Sequence, residues 1–148
     1  MTTGERIAAP IGVANARAKL GDYVTAAARH HPVSLSNHDD LGMLVGAQDV
    51  ADLLAGNEFH PEVFFEGDGV AIWLPELELY GTGTDPDEAL SDLEEEIRDY
   101  AERYVNESEL YLASPNRRQH YPYVMRAVAL DLLGQLRSQL AGANPVPA

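Results

Sequence analysis

Asp85-Pro86-Asp87-Glu88 is the strongest helix start in the chain, and the pattern behind it limits what the fold can be. Asp85 is placed to cap, Pro86 suits the first helical position, and Glu88 completes a capping-box spacing. Such a cap contributes about 1 kcal/mol. Leu90, Leu93, Ile97, Tyr100 and Tyr104 then recur at helical spacing as one apolar stripe. Glu88, Asp92, Glu95, Asp99 and Glu102 fall largely away from it. Glu94 with Arg98, and Asp99 with Arg103, are favourable pairs four residues apart. A helix with one apolar edge must lay that edge on another layer, so this segment requires a sheet or second helix beneath it.

The acid is concentrated in the same region. Between Glu58 and Glu109 lie 17 of the 24 acidic side chains and only two basic ones, Arg98 and Arg103. The net charge of -14 would by itself argue against a nucleic-acid partner, but the flanks carry eight bases against seven acids. A concentrated negative surface attracts a basic partner and speeds encounter; a solvated face that only confers solubility is the plainer reading. The 148 residues fit one domain or two small ones, and 45% hydrophobic composition excludes a wholly disordered chain. No stretch approaches the roughly 18 apolar residues of a membrane span, and the start shows no signal-peptide core. With no cysteine there are no disulfides or thiolate metal sites. Together these favour the cytoplasm.

The N-terminal part reads β-α-β-β-α. Pro10 to Val13 forms a brief strand, and Ala16, Leu20, Val24 and Ala27 mark a helix ending before His30-His31-Pro32. Val33 to Ser36 alternates as a strand, Asn37 to Asp40 is a polar turn, and Gly42 to Val45 returns. Val50, Leu53 and Leu54 fit a short helix, and Ala55-Gly56-Asn57 is the candidate linker. The middle part reads β-β-β-α. Val63 to Phe65 and Val70 to Leu74 flank the turn Glu66-Gly67-Asp68-Gly69. Leu77, Leu79 and Tyr80 make a third strand, closed by Gly81-Thr82-Gly83-Thr84.

In the tail, Leu110 and Leu112 suggest a short strand and Ser114-Pro115-Asn116 a break, followed by a basic patch of Arg117, Arg118 and His120. Val124, Met125, Val128, Leu132, Leu136 and Leu140 mark one amphipathic helix from Tyr121. It is either core for the middle part or a helix laid into a partner's groove. Gly142 to Pro147 reads as a frayed end.

Catalytic patterns are weak. His30, His31, His38, Asp39, Asp40 and His60 are metal-binding types without a metal-site spacing. Gly81-Thr82-Gly83-Thr84 lacks the lysine of a phosphate loop and has acids nearby. The carboxylates of the acidic helix are spaced as a charged surface, without convergence from separate strands, and no nucleophile elbow is present. For DNA, Arg6, Arg17, Lys19 and Arg29 provide a thin electrostatic footprint that a symmetric dimer would double.

Two resemblances fall on either side of the linker. Ile11 to Leu20, Val33-Ser34-Leu35-Ser36, Met43-Leu44-Val45 and Gln48-Asp49-Val50 resemble the Phd/YefM antitoxin domain, with its short strand, ARxxL helix, hairpin and closing helix. The resemblance implies a dimer that binds operator DNA, with Arg17 at the DNA-facing arginine. It departs at the family's basic turn, which here is Asn37-His38-Asp39-Asp40. Gly69 to Leu77 and Gly83 to Leu90 resemble HicB-type antitoxins, with the tryptophan shifted. That resemblance implies a trimmed RNase H-like sheet with a helix, without catalytic carboxylates, that blocks a small basic ribonuclease.

The expectation is therefore an α+β chain in three parts. Residues 1–57 form a Phd/YefM-like dimerisation and DNA-binding module, 58–112 a HicB-like acidic toxin-binding module with an antiparallel sheet and packed helix, and 113–148 a C-terminal helical extension. The function expected is a non-enzymatic, cofactor-free antitoxin of a type II system that binds a small basic toxin, an RNA-cleaving one, and represses its own operon as a homodimer or higher homo-oligomer. Arg6, Arg17 and Lys19 are the DNA-binding candidates. Glu88, Asp92, Glu95, Asp99, Glu102, Tyr111, Tyr121 and Tyr123 are the toxin-binding candidates, the tyrosines as interface anchors. The rival readings are a stand-alone DNA-binding regulator and a metal-dependent hydrolase.

Overall fold

The computed structural model describes residues 6–142 and 144–145. It divides into two compact units, Met1–Val50 and Ala51–Ala148. The first contains β1 (Ile11–Gly12), α1 (Val13–Ala16), a tight 3-10 turn (Arg17–Lys19), α2 (Leu20–Ala28), β2 (Val33–Asn37) and β3 (Asp40–Leu44). A further helix, α3 (Ala47–Leu53), runs across the division. β1 pairs parallel to β2, and β2 pairs antiparallel to β3. The expected first strand stops one residue early because Val13 already belongs to a helix, and the expected single helix is interrupted at Arg17–Lys19. The α2 C-terminus closes on His30 in the left-handed conformation (φ 72°). Its imidazole Nδ1 lies 2.5 Å from Asp49 Oδ1, tying the end of α2 to α3.

This unit buries little of its own apolar surface. Ala16, Ala27 and Val33 are buried, but Leu20 and Val24, on the same helical stripe, are 51% and 52% exposed. Leu41 and Met43, alternate residues of β3, are 63% and 66% exposed. The periodicity located the helix correctly, but only its alanines face the unit's own interior.

The second unit contains β4 (Glu62–Glu66), β5 (Gly69–Leu74), β6 (Leu79–Gly83), α4 (Pro86–Asn106), α5 (Ser108–Ala113), α6 (Pro115–Arg118), α7 (Tyr121–Leu132), α8 (Leu136–Leu140) and β7 (Asn144–Pro145). Its sheet runs β6-β5-β4-β7, antiparallel except for the short β4–β7 pair. The hairpin between β4 and β5 turns on Gly67, whose φ of 56° is the left-handed value glycine adopts without cost. Val63 faces Ile72 across the hairpin, and Val70, Ile72 and Leu74 alternate inward under α4.

The cap of α4 forms as its residue types dictate. Asp85 Oδ1 accepts from the Glu88 amide at 2.8 Å, with Pro86 opening the helix. Glu88 does not reach back to Asp85; its carboxylate accepts from the Thr84 hydroxyl at 2.9 Å. Gly81 and Gly83, expected to close the third strand, lie within β6, which extends to Gly83. They are where α4 crosses. A Cβ on Gly81 would collide with Ala89 O and Leu93 N, and one on Gly83 would sit 2.6 Å from Ala89 N.

Three expectations for the tail are corrected. Leu110 and Leu112 belong to helix α5, seated by Tyr111 stacking on Tyr104 with ring centroids 4.7 Å apart. Two leucines one residue apart are too short a pattern to separate strand from helix. The single helix from Tyr121 to Leu140 is two, because Gly134 takes φ 70° and interrupts the helix between α7 and α8. Within the stretch expected to fray, Asn144–Pro145 pairs with Glu62–Val63; residues 143, 146 and 147 lie outside the described residues. The two readings of the tail helix are resolved toward core. Val124, Ala127, Leu130, Leu136 and Leu140 are buried, and α7 and α8 both pack on α4.

Gly81→Ala is expected to cost about 3 kcal/mol, because backbone on both sides must give way. Gly56→Ala, with open space around its Cβ, should change stability by less than about 0.5 kcal/mol. Urea denaturation of the two variants checks this.

Candidate protein interface

The seat of α4 sorts its carboxylates into three kinds. Asp92 and Glu88 are spent on the neighbouring strand and its end, Asp92 Oδ2 accepting from the Thr82 amide at 2.8 Å and Glu88 from Thr84. Glu94 is buried and forms the centre of an ionic network. Its carboxylate meets Arg98 at 3.1 Å and Arg137 at 2.5 Å. Arg98 also holds Asp131 at 2.9 Å, and Arg137 also holds Asp87 at 2.5 Å. A carboxylate so far from water is tolerable only with both cations in place. The network joins α4 to α7 and α8.

Glu95, Glu96, Asp99 and Glu102 are the third kind. They are exposed, and among the described residues they hold no hydrogen bond or ion pair. Glu96, Asp99, Glu102 and Arg103 line one shallow surface, and the expected Asp99–Arg103 pair does not form among the described residues. Of the five acids expected to face a toxin, Glu95, Asp99 and Glu102 are therefore open. Glu88 and Asp92 carry internal bonds.

The three candidate tyrosines separate. Tyr111 and Tyr121 both stack on buried Tyr104, at 4.7 and 5.9 Å between centroids. Tyr123 lies apart from them, beside Phe59 at 6.1 Å. Tyr104 donates its hydroxyl to Arg117 O at 2.8 Å.

Behind this stack runs a polar chain. Arg117 Nη1 donates to the Tyr100 hydroxyl at 3.1 Å, and that oxygen lies 2.7 Å from His120 Nδ1. His120 Nε2 in turn faces the Glu78 carboxylate at 3.4 Å. Burial, reinforced by the Arg117 charge and opposed by Glu78, lowers the His120 pKa below its ordinary value. The basic patch expected at Arg117, Arg118 and His120 is thus partly structural.

Neither Glu94 nor His120 was among the expected site residues. For Glu94 a signal existed: it lies four residues after Leu90 and three before Ile97, on the edge of the stripe. For His120 there was none, since its partners Tyr100 and Glu78 are distant in sequence. Arg126 is similarly buried, its guanidinium over the Phe59 ring at 5.2 Å and bonded to Asn57 O and Gln139.

In the first unit, Arg17 and Lys19 are exposed on the 3-10 turn before α2. Arg6 is elsewhere, at a depression of about 360 Å³ formed with Ala8, Pro10, Leu35, Leu41 and Met43. The structure does not gather the three bases into one cluster around that depression. His30 is paired with Asp49, and His60 lies beside Glu58 and Glu76. Among the described residues no group of three His, Asp or Glu side chains could hold a metal ion. No helix among them is long and apolar enough to cross a membrane.

The lowered pKa of buried His120 makes stability pH-dependent. Its folded pKa is depressed, so its contribution is complete above the unfolded value of 6.5 and is lost as pH falls below it. Thermal melting of the parent should fall more steeply below pH 6.5 than that of His120→Gln.

The comparisons with known proteins agree on one class. The family described as "Antitoxin of toxin-antitoxin, RelE / RelB, TA system" (PHD_like) matches residues 9–141, across both units. A crystal structure from Syntrophomonas wolfei subsp. wolfei, described as an antitoxin part of a toxin/antitoxin system, superposes with a TM-score of 0.67. It is 22% identical, over 93% of this chain and 98% of that one, and so shares the fold. No curated protein matches the chain. The family match, which spans nearly the whole chain, carries the conclusion: this chain belongs to the PHD_like antitoxins of RelE/RelB toxin–antitoxin systems, a non-enzymatic regulatory protein with a cognate toxin as partner.

Proposed function

We propose that the chain neutralises a small basic toxin of the RNA-cleaving kind through its second unit, and represses its own operon through its first. The observation that carries the first half is the row of exposed carboxylates on α4 without partners in the chain, Glu95, Glu96, Asp99 and Glu102. Internal ion pairs have already absorbed Glu94, Asp87 and Asp131, so these four remain for an external cation. A basic ribonuclease presents such cations where it grips RNA phosphate, and a protein lying across them blocks substrate by occupancy. Tyr111 of α5 and Tyr121 of α7, stacked in place by Tyr104 near the C-terminus of α4, are pre-ordered side chains. Ordering them costs little further entropy on binding.

Dimerisation through the first unit is supported by its exposed Leu20, Val24, Leu41 and Met43, apolar side chains that a second copy would cover. Two copies of Arg17 and Lys19 then face DNA. The footprint remains small, because the hairpin turn His38-Asp39 and the adjoining Asp40 bring acid to that end of the strands. The Phd/YefM-like and HicB-like assignments of the two units belong to this same proposal.

Co-expression with the protein of the adjoining toxin-sized reading frame tests the first half. Stoichiometric complex should form and RNA cleavage by that protein should stop. The double variant Asp99→Lys, Glu102→Lys should bind about tenfold or more weakly at low salt. Undiminished inhibition by the double variant would remove the electrostatic account. For the second half, Arg17→Ala with Lys19→Ala should weaken binding to the upstream operator DNA and reduce its salt dependence.

A further inference from the structure

Beside the open carboxylates lies a groove of about 410 Å³ between α4 and α7. Its floor is apolar: Ile97, Ala101, Val105, Val128, Leu132 and Leu136. Leu132 is 76% exposed and Val105 46%, although both sit on helices whose other faces are packed. Glu102, which holds no partner among the described residues, lines it, as does Asp131, which is paired with Arg98. Arg98 lines it too, but its guanidinium is held between Glu94 and Asp131 and adds no free positive charge. The feature is thus an apolar trough bordered by acid, continuous through Glu102 with the surface of Glu96, Asp99 and Arg103.

We propose that this groove seats one amphipathic helix of the toxin, with apolar residues against Val105, Val128 and Leu132 and lysine or arginine on its flank meeting Glu102, the acid of the groove left unpaired among the described residues. The assignment rests on the toxin-binding reading above and gives it a location. Two helices side by side leave a furrow into which a third packs at roughly 8–10 Å between axes, the ordinary geometry of helix on helix. Charge selects which helix. A second copy of this chain, with net charge -14, would place acid against acid at the rim, whereas a basic helix is attracted there. The exposed leucine supplies what the carboxylates lack, a desolvated contact that slows dissociation.

The absence of cysteine makes the test direct, because the thiol introduced by Leu132→Cys is unique in the chain. With the full chain and the co-expressed toxin from the adjoining reading frame, alkylation of that thiol, read from the mass of this chain, should slow about tenfold or more on complex formation. Leu132→Arg and Glu102→Lys should each weaken binding about tenfold, with melting temperatures close to the parent because both sites are exposed. Glu66→Lys, in the β4–β5 hairpin, should bind as the parent does. Full binding by Leu132→Arg, together with an unprotected thiol in the Leu132→Cys complex, would overturn the groove while leaving toxin binding intact. Failure of the unaltered chain to bind the toxin would instead overturn the reading beneath it. Protection of the introduced thiol by self-association, without toxin, would assign the groove to a second copy and refute the proposal.

Discussion

Where α4 crosses β6, the helix backbone comes so close that neither Gly81 nor Gly83 has room for a side chain. The rest of the second unit follows from that contact. It sets the rotation of α4 about its own axis, and with it the burial of Leu90, Leu93, Ile97 and Tyr104. It brings Asp92 to the Thr82 amide, so a strand edge that would otherwise present an unpaired donor is satisfied. The same rotation turns Glu94 inward toward Arg98 and Arg137 and leaves Glu95, Asp99 and Glu102 outside. Division of the acid into structural and available charge is a consequence of helix placement. Composition alone does not provide it.

The tail then secures α4 from its other flank. Glu94 is the electrostatic link to Arg137 on α8 and, through Arg98, to Asp131 on α7. Removing either arginine leaves a buried carboxylate under-compensated, a costly state. Further along, Tyr100, Arg117 and His120 provide a second, mostly hydrogen-bonded link. Next to the Arg98–Asp131 pair, α4 and α7 leave the apolar groove between them. An acidic helix held rigidly at both ends presents its outer charges with little further entropy loss on binding.

How far these features were legible depended on the range of the interaction. The α4 start was written in four adjacent residues, and Asp85 and Pro86 perform as their types dictate. The hairpin on Gly67 was equally local. Gly81 and Gly83 were visible as glycines, but their reason lies in a helix that begins three residues later and crosses back. They therefore read as a turn. α5 and the break at Gly134 were misread for the same cause: the two-residue alternation at Leu110 and Leu112 and the periodicity through Gly134 did not report the tertiary partners or the left-handed residue. Antitoxin class was legible through resemblance, and the family match bears it out. The acidic face was legible as charge. Its partition, and the groove beside it, required knowing what Glu94 and Leu132 touch.

Hydrogen exchange of the full chain, alone and with its co-expressed toxin, tests most directly whether the acidic second unit is the inhibitory surface. The expected result is slowed exchange in the C-terminal half of α4 and in α7, with the amides of α1 and α2 unchanged. Slowing confined to residues 6–50, with α4 and α7 exchanging as in the free chain, would contradict it.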